Sequence, residues 1–530
     1  MLAKTLGGLE EVLAEELRGI GASSVQPGRR SVSFEGDLAM LYKANMCCRT
    51  ALRILKPIFS FTADDTEELY ERIKEYDWST LMTENSTFAI DSTVYSDTFR
   101  NSRFVTYRVK DAIVDWFTDR LGEGHRPGVR LVDADILLNV HIADRRVTVS
   151  LDSSGESLHK RGYRIDSTEA PINEVLAAGI ILKSGWRGDS PLVDPMCGSG
   201  TFLIEAAMIA AGIMPGIYRK GFAFERWEDF DSELFESIYN DDSAERTPAF
   251  GIYGADISPK AIAVAEKNIK HAGLGKYITL REQALSKWSE APEEGIPGVL
   301  VCNPPYGERI AADNMNELYK MIGTKLKHVF RGYHAWIIGY REEYFHEIGL
   351  TPSLKEAVDN GGLDCELREY IIFDGDMKSF KRDGGSIASA ARRDYREKSS
   401  SSKQRDRKAD KRDGDRRDRR DRRDRDDRDD RRDRKNFDSR KPQRRRRDFD
   451  DDEDRDLGRK PRFEGKRFDK RANDYRRNND DERTESANPM ARRRNEKLLS
   501  RIRDTRPSLP PSDGENRVVM RSRRGWRPKN

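Results

Sequence analysis

Asp194-Pro195-Met196-Cys197-Gly198-Ser199-Gly200-Thr201 and Asn303-Pro304-Pro305-Tyr306-Gly307-Glu308-Arg309 are the two stretches whose reading decides the fold. The first follows the apolar pair Leu192-Val193 and opens into Phe202-Leu203-Ile204-Glu205-Ala206-Ala207-Met208, a segment of helical character. Strand, glycine-rich turn and helix in that order let a ligand approach bare backbone N–H groups. The second follows Gly298-Val299-Leu300-Val301-Cys302, a buried-strand pattern, and sets a side-chain amide and two prolines at the strand's C-terminal end. Ligands of doubly wound α/β sheets sit along that edge. A proline pair there forfeits two backbone donors and fixes φ twice. It suits a place where the Asn303 side-chain oxygen and the Pro304 carbonyl face a ligand.

Around these stretches helix and strand alternate. A helix over Glu174–Lys183 precedes the first strand, Leu192–Asp194, and residues 201–211 form the helix after it. Residues 250–256 read as the second strand, with the acid Asp256 at its tip, where a ribose can be held. Asp256 lies sixty-two residues beyond Asp194, against ~20 in a plain dinucleotide fold. The excess is the aromatic-rich insert 215–248. Ser258-Pro259 caps a helix over 260–272. Residues 277–280 are the third strand, followed by Arg281-Glu282-Gln283-Ala284-Leu285. A helix over 316–329 and strands at 334–340 and 369–373 complete the sheet, the last antiparallel.

The N-terminal part is α+β. Leu9, Val12, Leu13, Leu17 and Ile20 share one helical face. Residues 31–34 form a strand, 38–45 a helix, and 51–55 a strand ending at Pro57. The style repeats with helices at 66–76 and 103–121, strands at 87–91 and 94–95, and two strands, 136–142 and 147–151, joined by Asp144-Arg145-Arg146. Arg100, Arg103, Arg108, Lys110 and Arg145 suit phosphate, and suit a merely solvated face equally well.

Charge divides the chain. Residues 381–530 hold 54 Lys+Arg and 34 Asp+Glu, a net of +20, which leaves −16 on residues 1–380 beneath the overall +4. Residues 392–480 are dominated by Arg-Asp runs almost free of aliphatic side chains, so a disordered tail is expected, with Phe437, Phe449, Phe463, Phe468 and Tyr475 interleaved for stacking on unpaired bases. The five cysteines show no ligand spacing, so no metal site is expected. The N-terminus is amphipathic and acidic, unlike a signal peptide, and no apolar run nears the ~20 residues that span a bilayer. These features point to a cytoplasmic protein without a membrane partner, taken as a monomer.

Two resemblances sharpen the reading. The glycine-rich turn together with Asn-Pro-Pro-Tyr resembles the S-adenosylmethionine-dependent methyltransferases of exocyclic base nitrogens, whose signature is (Asn/Asp)-Pro-Pro-(Tyr/Phe). Residues 152–164, DSSGESLHKRGYR, followed by 170–174, APINE, resemble the junction in bacterial THUMP-containing rRNA methyltransferases. Over residues 1–380 the chain looks like the large-subunit rRNA guanine-N2 methyltransferases. It resembles their single-domain version, since no second glycine-rich turn follows residue 380, and Asn360 to Cys365 resembles their C-terminal hairpin.

The resemblance implies an α/β, Rossmann-like methyltransferase domain over 160–380. Before it come a ferredoxin-like unit at 1–55 and a THUMP RNA-binding domain at 56–152, and the basic tail follows at 381–530. It further implies S-adenosyl-L-methionine held by Asp194, Pro195, Cys197, Gly198, Gly200 and Thr201, with its ribose on Asp256. Ala284 stands where the wider family carries an acid for the adenine amino group, which leaves Gln283, backbone or apolar neighbours for that task. Asn303, Pro304 and Tyr306 would be catalytic, and Arg103, Lys110, Arg161, Arg164 and Arg309 would meet RNA, expected to be 23S rRNA or a ribosome precursor. Adenine-N6 methylation of RNA or DNA shares the tetrapeptide and stays open. So does a non-enzymatic role in ribosome assembly through the tail.

Overall fold

In chain order the N-terminal half contains β1 (Leu2–Lys4), α1 (Glu10–Gly19), β2 (Ser23–Gly28), β3 (Ser31–Glu35), α2 (Leu38–Cys47) and β4 (Arg53–Thr62). It continues through α3 (Thr66–Lys74), β5 (Thr87–Tyr95), α4 (Ser102–Leu121), β6 (Gly128–Val129), β7 (Ile136–Ala143) and β8 (Arg146–Asp152). This computed structural model describes residues 1–169, 171–293, 295–305, 312–361 and 363–373, with four single positions beyond. All fall within one unit, Met1–Arg393 with Pro489–Asn530. The expected disordered tail and the positions Tyr306, Glu308 and Arg309 lie outside the described residues.

The helices begin where their caps dictate. Asp37, Asp65 and Asn101 accept hydrogen bonds from the first-turn N–H groups of α2, α3 and α4, satisfying donors that have no partner inside the helix. The strands form one eight-stranded sheet ordered β2-β3-β1-β4-β8-β7-β5-β6. β4 is its spine. It pairs with β1 on one side (Ile54 opposite Ala3) and with β8 on the other (Leu55 opposite Asp152, Thr62 opposite Arg146). The expected end of this strand at Pro57 is therefore corrected. The ladder slips between Pro57 and Phe59, and such an irregularity accommodates a residue with no N–H to give.

The second half contains α5 (Glu174–Lys183), β9 (Leu192–Asp194), α6 (Thr201–Ala210), α7 (Ser232–Tyr239), β10 (Ile252–Asp256), α8 (Pro259–His271), β11 (Ile278–Glu282) and β12 (Val299–Cys302). It ends with α9 (Ala312–His328), β13 (His334–Gly339), α10 (Glu342–Glu347), β14 (Leu354–Asn360) and β15 (Leu363–Ile371). The sheet order is β11-β10-β9-β12-β13-β15-β14. β11 to β13 are parallel neighbours, and β15 returns antiparallel to β13. From β9 the chain builds outward through β10 and β11, then crosses back to lay β12 on the other side of β9. The crevice at the C-terminal tips of β9 and β12 is thus the topological switch point, where ligands bind in such sheets.

The aromatic insert joins the halves. Tyr42 of α2 lies 4.5 Å from Phe224 and 5.4 Å from Phe235, ring centre to ring centre, and its hydroxyl accepts from the Asp231 N–H at 3.0 Å. Aromatic pairs at such spacing contribute about 0.5–1.5 kcal/mol each beyond area burial. α5 and α6 are buried almost all round, as befits helices covered on both faces. Among the described residues no helix is long and apolar enough to cross a membrane.

Candidate active site

Val193 of β9 lies beside Leu300 of β12, so the chain leaving each strand arrives at one place. A cavity of about 1120 Å³ opens there, lined by Asp194, Pro195, Cys197, Gly198, Thr201, Asp256, Asn303 and Pro304 among others. The turn after β9 is tied down by its own backbone: the Cys197 N–H donates to the Ala255 carbonyl at 2.9 Å and the Gly200 N–H to the Cys197 carbonyl at 2.8 Å. Gly198 and Gly200 have φ of 53° and 82°, a region that costs other residues about 1–2 kcal/mol. At Gly200 a Cβ would also stand 3.2 Å from the Ala265 Cβ, so glycine lets α6 and α8 approach.

Asp256 is fixed before any ligand arrives. Its Oδ2 accepts from the Gly198 N–H at 3.0 Å and its Oδ1 from the Ser258 N–H at 2.8 Å. Each carboxylate oxygen retains a lone pair for a hydroxyl. Asp194 is buried, with Oδ1 accepting from the Met196 N–H at 3.2 Å. Burial pushes its carboxyl well above the usual carboxylate range, and the Asp256 charge adds to this against the opposing Met196 bond. Burial also pushes up the Cys197 and Cys302 thiols, so neither offers a thiolate near neutrality.

Asn303 is the informative residue. Its Oδ1 is buried and has no hydrogen-bond partner among the described residues, although it lines the cavity. Buried acceptors are nearly always paired, so an unpartnered one on a cavity-lining residue marks a place for a donor that a ligand can supply.

Comparison with known proteins agrees with this geometry. A family model described as "RMKL-like, methyltransferase domain" matches residues 161–369, a THUMP model matches 63–152, and a model of the RlmL ferredoxin-like domain matches 1–55. A protein of Synechocystis named "Putative RNA methyltransferase slr0064" is 37% identical over 369 residues, covering 69% of this chain and 95% of that one. The chain belongs to the THUMP-containing, RMKL-like methyltransferases. The "Ribosomal RNA large subunit methyltransferase K/L" of Syntrophotalea carbinolica is 38% identical over 376 residues, and the match spans about half (52%) of that protein. A crystal structure described as "SMU.472, a putative methyltransferase complexed with SAH" superposes with a TM-score of 0.63 at 30% identity, covering 71% of this chain and 98% of that one. The cofactor of this methyltransferase is S-adenosyl-L-methionine.

Three of the residues expected from sequence take other places in the methyltransferase. Arg161, expected at RNA, is 2% exposed. It pairs with Glu205 of α6 at 3.4 Å and donates to the Leu158 and Arg49 carbonyls, so it is an internal tie between the halves. Arg164, expected likewise, turns inward: Nη1 donates to Ser199 Oγ at 2.7 Å, Nη2 to Thr201 Oγ1 at 2.9 Å and Nε to Glu174 Oε1 at 2.7 Å. Gln283 is not among the residues that line the cavity, and its amide donates to the Lys287 carbonyl at 3.2 Å. Ala284, Leu285 and Ser286 line it instead, with Ile257. Lys110 pairs with Asp111 at 2.5 Å.

Arg103 is exposed near the start of α4, beside Phe104 (52% exposed) and Tyr107 (62%). Sequence reasoning missed these aromatics, and it missed Asn268, which is fully buried in α8. An asparagine inside a helix, where its propensity is poor, was the available signal.

Proposed function

We propose that the protein methylates the exocyclic N2 of a guanosine in large-subunit rRNA, most plainly 23S rRNA or its precursor. The observation that carries this reading is the buried, unpartnered Asn303 Oδ1 on a residue that lines the same cavity as the glycine turn. An acceptor there and the adjoining Pro304 carbonyl can take the two N–H bonds of an exocyclic amine. A guanine N2 lone pair is delocalised into the ring, so the amine is a poor nucleophile until it is turned towards sp³. Two acceptors hold it in that geometry, and orientation of this kind lowers the barrier without a strong base. The proton on the methylated nitrogen leaves after transfer.

The cavity residues fit S-adenosylmethionine. Asp256 keeps lone pairs for ribose hydroxyls, the Gly198–Thr201 turn offers backbone at the wall, and Ile257, Ala284 and Leu285 give the apolar surface that an adenine ring needs. When bound, the cofactor supplies an electrophilic methyl group on sulfonium sulfur. The Cys197 and Cys302 thiols, buried and pushed up from their ordinary values, offer no competing thiolate. Tyr306, the last residue of Asn-Pro-Pro-Tyr, would stack on the base, which must leave its helix or loop to enter.

RNA is the substrate class that the THUMP match supports. The surface around Arg103, Phe104 and Tyr107 joins a cation to two exposed rings, the combination that holds unpaired bases. With −16 on residues 1–380, the folded part is a poor general polyanion binder, which gives the basic residues 381–530 the role of a salt-sensitive anchor. Nucleoside mass spectrometry on fractionated RNA, from cells with and without the protein, tests the reading. N2-methylguanosine should vanish from large-subunit rRNA and return with wild type but not with Asn303→Ala. Loss of N6-methyladenosine instead would move the chemistry to adenine, and no change in any methylated nucleoside would refute methylation and favour an assembly role.

A further inference from the structure

Residues 163–169 and 171–172 belong to the connection from the eight-stranded sheet to the methyltransferase half, and they pass against the cofactor turn. Ser167, Thr168, Pro171 and Ile172 line the cavity, and a Cβ on Gly198 would find Thr168 Oγ1 as its near neighbour at 3.7 Å. The turn itself contains two residues with positive φ flanking Ser199. Ser199 is gripped from outside. Its hydroxyl accepts from Arg164 Nη1 at 2.7 Å, and its carbonyl accepts from Asn268 Nδ2 at 3.1 Å. Arg164 also reaches Thr201 Oγ1, so one guanidinium spans the turn and the first residue of α6. Asn268 holds the linker with the same amide: its Oδ1 accepts from the Ile165 and Asp166 N–H groups at 3.0 and 3.1 Å, and its Nδ2 donates to the Asp166 carbonyl at 3.0 Å.

We infer that Arg164 and Asn268 are positioning residues for the cofactor, clamping the Ser199 segment so that the Gly198–Thr201 backbone is held ready for the ligand. A glycine-flanked turn left to itself samples many conformations, and each must be given up on binding. A planar fork fixed on two hydroxyls, with its third N–H on Glu174, removes that freedom beforehand. Lysine cannot replace it, since a point charge does not bridge two acceptors in one plane. The clamp is built from the linker, so cofactor affinity depends on the segment that joins the RNA-binding half to the catalytic half.

This inference rests on the cavity being the S-adenosylmethionine site. The test is calorimetric titration of S-adenosylmethionine into the full-length protein, with Asp256→Ala as the control for the site. Arg164→Gln should weaken binding about 10- to 100-fold, the range for a charged hydrogen bond, and Arg164→Lys should fail to restore it. The cofactor KM should rise with kcat little changed. Ser199→Ala leaves the Arg164–Glu174 pair intact and should weaken binding several-fold with an unfolding temperature near wild type, so it decides the matter if Arg164→Gln does not fold. The double variant should bind like Arg164→Gln alone, because both remove one interaction. Affinity within twofold of wild type in Ser199→Ala and Arg164→Lys, with Asp256→Ala defective, would overturn the clamp and leave the site standing. A wild-type protein that bound no cofactor would overturn both.

Discussion

Replacing Asn303 by alanine should separate stability from activity in an unusual way. The Asn303 Oδ1 is buried and has no partner among the described residues, and an unmet acceptor of this kind costs about 1–3 kcal/mol. Alanine removes that cost and forfeits some side-chain packing, of the order of 1 kcal/mol. The net effect on the free protein is a change between zero and about 2 kcal/mol in favour of the fold, from the difference of those terms. At about 2–4 °C per kcal/mol for domains of this size, the unfolding temperature should hold or rise by a few degrees. Methyl transfer should fall about 10²- to 10³-fold, the loss seen when one aligned polar group is withdrawn from a reacting centre. Asn303→Asp keeps an acceptor and should retain more activity than alanine. Thermal unfolding without cofactor, single-turnover transfer and cofactor titration measure the three quantities. An unfolding temperature lowered by five degrees or more would mean that the amide is a structural bond and would refute the reasoning. So would a rate within tenfold of wild type.

Asp194 provides a pH signature. Its carboxyl is raised by burial and by Asp256, so the folded chain holds that proton more tightly than the unfolded chain does. The stabilisation is complete below the ordinary carboxylate range of about pH 4 and is lost as pH rises through the raised folded value. Asp194→Asn should therefore gain on wild type in unfolding temperature as pH increases from about 4; parallel curves would count against it. Phe104→Ala combined with Tyr107→Ala should weaken single-stranded RNA binding about tenfold or more, at ~1–3 kcal/mol per stacked base, leaving cofactor titration unchanged, and equal RNA affinity would remove this surface from consideration. Deleting residues 381–530 should raise the Kd for long RNA and flatten its dependence on salt; an unaltered salt slope would discard the anchor.

The catalytic sheet was legible because its signals are local. A short apolar run, a glycine turn and a largely apolar helix are each written within a dozen residues, and Asn-Pro-Pro announces its own backbone requirement. What escaped was whatever depends on a partner that the segment's own residues do not announce. β1 has three residues and β2 reads Ser-Ser-Val-Gln-Pro-Gly, with a proline and a glycine that disfavour a strand, and only pairing with β3 makes it one. Arg161 and Arg164 were expected at RNA because a charge is visible in sequence and its internal partners are not. Glu205 lies 44 residues from Arg161 and Ser199 lies 35 from Arg164. Gln283 stood beside backbone and apolar neighbours as a candidate for the adenine, but its amide meets a carbonyl four residues away while Ala284 and Leu285 line the cavity.

β4 has a consequence for how this architecture can be cut and recombined. The ferredoxin-like and THUMP models meet across it, one ending at residue 55 and the other starting at residue 63, yet the strand runs unbroken from Arg53 to Thr62. Severing the chain in that interval would leave the flank of β8 with its row of N–H and C=O groups open, a template for adhesion to other chains. The two modules share this strand, so an exchange of either one alone would have to rebuild the seam, while moving both together would carry the β4–β8 ladder already paired.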